Sequence, residues 1–122
     1  MGSIRSTGAI PVLMTHANRF VGSGNSDAAA LRIWEKFYPR ASGQMIVAFD
    51  SATRLTTITV ARDSQAVLVD LAPTLARSHG SAFADFSHFT DLGAALAAGT
   101  VSGSILAASG ERLTTICESG SR

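Results

Sequence analysis

A chain of 122 residues has the length of one ordinary domain and can bury a hydrophobic core without metal or disulfide cross-links. Hydrophobic residues make up 46% of the chain and charged residues only 16%. This composition excludes an intrinsically disordered protein, because disordered chains lack the apolar surface that offsets the entropy of ordering. The net charge of +1 likewise argues against a protein that holds nucleic acid through bulk positive charge.

In chain order, the first predicted elements are an edge strand and an amphipathic helix. The apolar run 9–14 contains Pro11, and proline is tolerated in a strand mainly at the edge of a sheet. Residues 21–26, with the sequence VGSGNS, have the composition of a loop. In the segment that follows, apolar residues recur at helical spacing between Ala30 and Tyr38, and Pro39 ends the predicted helix.

Three strands are predicted next. Met45–Phe49 is apolar at every position, and Arg54–Ala61 is rich in β-branched residues, so the two segments should pair as a hairpin. A short turn leads into the third apolar strand, Ala66–Leu71, and Pro73 stops the sheet.

The last third of the chain repeats this order. Residues 74–89 should form a short helical turn followed by a loop. Thr90 and Asp91 have the character of a helix start, and Gly99 is placed to end that helix. The remaining segments, 102–109 and 112–118, again predict a hairpin.

The pentapeptide RLTTI occurs twice, at Arg54–Ile58 and at Arg112–Ile116. Each copy follows a predicted helix, a Ser-Gly pair and an apolar strand. We therefore predict one compact domain, residues 1–122, with an internal α-β-β duplication of segments 26–61 and 90–117.

Together these elements predict an α+β fold of the order β-α-β-β-(β)-α-β-β, in which two helices pack on one face of an antiparallel sheet. A ferredoxin-like arrangement is the nearest simple architecture, and roadblock-like or profilin-like arrangements are the alternatives. Element order alone supports these names, and it carries no functional meaning.

The densest group of chemically capable residues is His79, Asp85 and His88, which lie within ten residues of one another in a predicted loop. Three such donors could form a polar site, and the nearby serines allow a Ser-His-Asp arrangement on paper. The spacing matches no zinc motif, so no metal is predicted. The competing interpretation is that these are solvent-exposed loop histidines.

Two carboxylates at predicted strand ends, Asp50 and Asp70, are further candidates for general acid–base chemistry. The simpler interpretation is that they support turns, as aspartates commonly do after a strand. The glycine-rich segment 21–27 lacks the Lys-Ser/Thr of a phosphate-binding loop, so no cofactor is expected. The single cysteine, Cys117, is interpreted as a packed thiol.

Arg32, Lys36 and Arg40 are spaced four apart and predict a basic stripe along the first long helix. This stripe could contact phosphates or an acidic partner, although the net charge argues against nucleic acid and a solvated helix face is the default interpretation. Trp34, on the same helix, is interpreted as a core residue.

The low surface charge and the weakly protected sheet favour a non-catalytic binding or regulatory protein that self-associates, as a dimer formed through its sheet. The alternative hypothesis is a small enzyme or small-molecule-binding domain that uses the segment of His79, Asp85 and His88. No apolar run reaches the roughly 20 residues of a membrane span, and no signal peptide is evident. We therefore expect a cytoplasmic protein.

Overall fold

A computed structural model describes residues 2–20, 28–78 and 80–119 of the chain, and within these ranges the protein is mainly helical. The helices are α1 (Gly2–Ser6), α2 (Ala28–Phe37), α3 (Gly43–Asp63), α4 (Ala72–Ala76) and α5 (Asp91–Ser119). The strands are β1 (Val12–Met14) and β2 (Val67–Val69). The predicted α+β fold with a broad antiparallel sheet is therefore wrong.

The two strands pair in parallel, with Leu13 opposite Leu68. Backbone hydrogen bonds extend the pairing beyond the strands, from Val67 N to Pro11 O at 2.9 Å and from Thr15 N to Val69 O at 3.0 Å. Parallel strands need a long crossover connection, and α2 and α3 provide it here.

Helices pack on both faces of this small sheet, although β1 remains exposed on the face that α5 contacts. Leu13 of β1 borders Thr53, Thr57 and other residues of α3. Val69 of β2 lies on the opposite face, because successive strand residues alternate between faces, and it belongs to the same core cluster as Ala97 of α5. That buried cluster consists of Ala17, Val69, Leu71, Leu75, Ala82, Phe83 and Ala97. A parallel sheet between two helical layers is the arrangement that such strands normally require.

The segment predicted as the first hairpin is the single helix α3. Ser42 has an extended backbone and its hydroxyl accepts a hydrogen bond from Met45 N at 3.3 Å, which makes it an N-cap. Glu35 of α2 satisfies a second free amide at this end, since its Oε1 accepts from Gly43 N at 2.6 Å. The Ser-Gly pair that was interpreted as the start of a strand is a helix start.

The threonines of α3 are compatible with a helix because their hydroxyls bond within it. Thr53 Oγ1 donates to Phe49 O at 2.9 Å, and Thr57 Oγ1 donates to Thr53 O at 3.0 Å. This bond to the preceding turn gives each hydroxyl a partner without interrupting the helix. A strand propensity summed over Arg54–Ala61 therefore gave the wrong element.

The second predicted hairpin is also helical. Gly99 does not end the helix, and α5 continues through Gly103 and Gly110 to Ser119. Both RLTTI copies therefore lie in helices, and Cys117 lies in α5 and not in a strand. The α-β-β content assigned to segments 26–61 and 90–117 is wrong, whereas a common origin of the two segments stays a prediction.

Other predicted elements are confirmed. The edge strand corresponds to β1, the amphipathic helix to α2 and the strand after residue 65 to β2. The short helical turn near Pro73 is α4, and α5 begins at Asp91 as predicted. These are the segments where turn residues and periodicity gave the same answer.

Helix α5 also has properties that the sequence search for apolar runs did not identify. Its segment Asp91–Glu111 spans 21 residues with a mean hydropathy of 1.5 and is only 17% buried. Length and composition of this kind are compatible with crossing a membrane, although core helices of soluble proteins share them. The absence of a membrane span and the cytoplasmic location stay predictions.

Candidate functional site

The loop that carries Asp85 and His88 is closed by backbone hydrogen bonds. Phe83 and Phe89 form an antiparallel bridge, and Ala84 N donates to His88 O at 2.8 Å. The rings of Phe83 and Phe89 also contact each other, with centroids 5.4 Å apart. We call residues 83–89 the bridge loop.

A close contact fixes the bridge loop to the start of α5. Thr90 N donates to Ala82 O at 3.0 Å, and Thr90 Oγ1 caps the helix by accepting from Gly93 N at 3.2 Å. A Cβ atom on Gly93 would lie 2.0 Å from Ala82 O, so only glycine fits at this position. The loop is therefore held in a defined position relative to a long helix.

Within the bridge loop, Asp85 receives three hydrogen bonds. Its Oδ1 accepts from the backbone amides of Ser87 and His88, each at 2.8 Å. Its Oδ2 lies 2.7 Å from Nδ1 of His88. The amide of His88, the amide of Ser87 and then the His88 ring lower the pKa of Asp85 to about 2, so the carboxylate is ionised at neutral pH.

This arrangement orients the imidazole of His88. A neutral imidazole that donates from Nδ1 keeps its lone pair on Nε2, where it can accept a proton. The side chain of His88 is 78% exposed and that of Asp85 is 43% exposed, so a reactant can approach the ring from solvent. An oriented base with an ionised partner is the part of a catalytic site that removes a proton from a hydroxyl group.

A second aspartate–histidine pair lies between the end of β1 and helix α3. Nδ1 of His16 is 2.6 Å from Oδ1 of Asp50, and Asn18 Nδ2 donates to Oδ2 of Asp50 at 2.6 Å. Asn18 is buried, and its own carbonyl oxygen accepts from Phe20 N at 2.9 Å. The hydrogen bond to Asp50 raises the pKa of His16, although partial burial opposes the rise.

An apolar cavity of about 440 Å³ adjoins this second pair. Its walls come from α2, α3 and the turn between them, and they are mostly aromatic or aliphatic. The lining residues are His16, Trp34, Tyr38, Ala41, Met45, Ile46, Phe49 and Asp50.

An aromatic stack connects the cavity wall with the bridge loop. Trp34 is buried, as the sequence predicted, between the rings of Phe20 and Phe86, with centroid separations of 5.4 and 5.3 Å. Phe86 belongs to the bridge loop, and its carbonyl oxygen accepts from Arg19 N at 3.0 Å. The stack fixes the bridge loop against α2.

Asp70 has a different role from the other candidates. It forms a two-pronged ion pair with Arg54 of α3, in which Nε donates to Oδ1 at 2.9 Å. Thr15 Oγ1 donates to the same carboxylate at 2.9 Å. The bonds from Arg54, followed by that from Thr15, lower the pKa of Asp70 against the opposing effect of its partial burial. Asp70 joins α3 to the ends of both strands, so its contacts are structural.

The third residue of the predicted polar site, His79, lies outside the described residues. Ser78 and Ser81 direct their hydroxyls to backbone carbonyls, at 2.6 Å to Leu75 O and 2.7 Å to Ser78 O respectively. Within residues 2–20, 28–78 and 80–119, there is no group of three or more His, Cys, Asp or Glu side chains that could hold a metal ion.

The basic stripe is only partly helical. Arg32 and Lys36 are exposed on α2, whereas Arg40 follows in the turn before α3. Contact of these residues with an acidic partner stays a prediction.

The sequence missed His16 and Asn18, which follow β1 in the segment THAN. Polar residues directly after a predicted strand were the available signal. No family model matches the chain, and comparisons with characterised proteins and with solved structures find no match. Function must therefore be inferred from the geometry of its own residues.

Proposed function

We propose that the protein is a hydrolytic enzyme in which His88 acts as a general base and Asp85 orients it. The supporting observation is the Asp85–His88 pair, in which a carboxylate fixed by two backbone amides accepts a third bond from the imidazole. Enzymes that activate a hydroxyl nucleophile need this combination of a base and an orienting group.

The pair would act as follows on an ester. Nε2 of His88 takes a proton from water as the water oxygen bonds to the carbonyl carbon. When the carbon–oxygen bond to the leaving alkoxide breaks, the imidazolium returns that proton to the alkoxide. The negative charge of Asp85 stabilises the imidazolium between these two steps.

Water is favoured over Ser78 and Ser81 as the nucleophile. The hydroxyls of Ser78 and Ser81 are already hydrogen-bonded to backbone oxygens, and moving either of them would cost that bond. A hydroxyl from outside the bridge loop could take the place of water in the same chemistry.

A non-catalytic binding role stays a prediction, but the predicted dimer through the sheet is not retained. Such a dimer required a broad, weakly protected antiparallel sheet, and the described residues contain only two short parallel strands between helices. A sheet-mediated dimer therefore loses its structural basis.

The test is the rate of p-nitrophenyl acetate hydrolysis by the purified protein, before and after the substitution His88→Ala. We expect the rate above buffer to fall by about 100- to 10,000-fold, the usual contribution of a general base. Circular dichroism should show an unchanged helix content, because the ring of His88 is mostly exposed.

His16→Ala is the matched control, since His16 is also an exposed histidine paired with an aspartate through Nδ1. It should leave the rate unchanged. If His88→Ala keeps full activity, or if both substitutions lower the rate equally, the hydrolysis is unspecific imidazole chemistry and the proposal is wrong.

A further inference from the structure

The apolar cavity beside His16 and Asp50 is a second place where the structure combines shape with charge. Its volume of about 440 Å³ falls in the range of small-molecule sites, about 300–1,000 Å³. Trp34, Tyr38 and Phe49 line it together with Met45 and Ile46. Such a surface favours a ligand with an apolar, preferably aromatic, body.

The polar group that the cavity offers to a ligand is the imidazole of His16. Both oxygens of Asp50 are engaged, one by Nδ1 of His16 and the other by buried Asn18. The Asp50 side chain is only 15% exposed, whereas that of His16 is 54% exposed. With Nδ1 held by Asp50, the remaining donor of the protonated ring is Nε2–H.

Asp50 also favours the charged form of this ring. The hydrogen bond between them raises the pKa of His16, so a larger share of the imidazole is cationic near neutral pH than in a free histidine. A cationic donor at an apolar cavity forms a stronger hydrogen bond with an anion than with a neutral acceptor.

We propose that this cavity binds a small carboxylic acid with an apolar body, and that the imidazolium of His16 receives its carboxylate. An amine is a poorer fit, because it would have to compete with His16 and Asn18 for the shielded oxygens of Asp50 and would face the positive charge of His16. An alcohol fits the walls equally well but offers the imidazolium only an uncharged acceptor. This site is independent of the hydrolytic role of His88, which does not line the cavity.

The test is isothermal titration calorimetry with 4-phenylbutyrate and with 4-phenylbutan-1-ol, which has the same apolar body and no charge. We expect the acid to bind about tenfold more tightly than the alcohol, because the cationic donor forms a stronger hydrogen bond with an ionised acceptor than with an uncharged one. Binding of the alcohol as tight as that of the acid would refute the role of His16. No heat from the acid at concentrations up to about 10 mM would refute the site itself.

Two variants separate the apolar and the polar contributions. Ala41→Phe places a ring in the cavity from the turn between α2 and α3, so both ligands should lose affinity. His16→Gln should weaken only the acid and make the two affinities equal. His88→Gln is the control and should change neither affinity. Unaltered binding of the acid by Ala41→Phe, or an unaltered preference in His16→Gln, would overturn the proposal.

Discussion

The two aspartate–histidine pairs use the same imidazole atom, Nδ1, at 2.7 Å in Asp85–His88 and 2.6 Å in His16–Asp50. They differ in how the chain makes them. Asp85 and His88 are three residues apart in one loop, whereas 34 residues separate His16 from Asp50. A local pair adds little to the tertiary structure and leaves its outer nitrogen to solvent. A long-range pair connects a strand end to a helix, so its loss affects the fold.

This comparison predicts that substitutions of the two aspartates affect different properties of the protein. The largest expected effect is on the rate of hydrolysis. Asp85→Asn should lower p-nitrophenyl acetate hydrolysis by about 100-fold or more, because the amide no longer holds the imidazole tautomer or stabilises the imidazolium. Asp50→Asn should leave that rate unchanged. Equal losses from the two substitutions would remove the functional distinction between the pairs.

The second expected effect is on stability, and here the substitution of Asp50 should have the larger effect. Asp50→Ala should lower the free energy of unfolding by about 1–3 kcal/mol, because the buried amide of Asn18 loses its acceptor. Urea denaturation followed by circular dichroism measures this change. Asp85→Ala should lower the denaturation midpoint by less than Asp50→Ala does, and a larger shift for Asp85 than for Asp50 would contradict the assignment of structural and functional roles.

Another long-range polar contact from the same strand end should behave like Asp50. Thr15 is buried, donates to Asp70 and accepts from Leu71 N at 3.1 Å. Thr15→Val leaves that buried amide without a partner and should cost about 1–2 kcal/mol. The matched control is Thr59→Val at an exposed position of α3, where we expect a change within about 0.5 kcal/mol. Similar costs at both positions would argue against a special role for the strand end.

The smallest effects are the pH dependences, which fall in separate windows. The pKa of His16 is raised above 6.5, so its pairing stabilises the fold fully below that pH and loses this effect as the pH rises through the folded-state pKa. The pKa of Asp85 is lowered from 3.8 to about 2, so its contribution is present above 3.8 and disappears as the pH falls toward about 2.

Stability curves of the wild type and of His16→Gln can test the first window. The difference between them should shrink as the pH rises above 6.5. A difference that grows with pH would mean that the fold favours the neutral form of His16, which would contradict a raised pKa for this residue.

The sequence predicted the elements whose local signals agree, and it failed where one signal has two meanings. In α2, helical periodicity and Pro39 point to the same element. Ser42 before an apolar run is compatible with either a turn into a strand or a helix N-cap, and the bond from Met45 N decides for the cap. Threonines at 53 and 57 favour strands on average, yet their hydroxyls bond within the helix.

The candidate site was predictable to the extent that it is local. Asp85 and His88 could be recognised because three residues separate them in one loop. Asp50 was named without its partner, because only the tertiary structure places His16 and Asn18 beside it. Asp70 was interpreted as supporting a turn, and its ion pair with Arg54 could not be foreseen because Arg54, which lies in α3, was predicted to lie in a strand.

The most direct measurement is nitrogen-15 NMR of the histidine rings, which reports which ring nitrogen carries the proton in the neutral form. If Asp85 orients His88 as a general base, the neutral ring of His88 carries its proton on Nδ1 and leaves Nε2 free. In Asp85→Asn this preference should be lost. A neutral His88 protonated on Nε2 in the wild type would contradict the account, because the exposed nitrogen could then accept no proton.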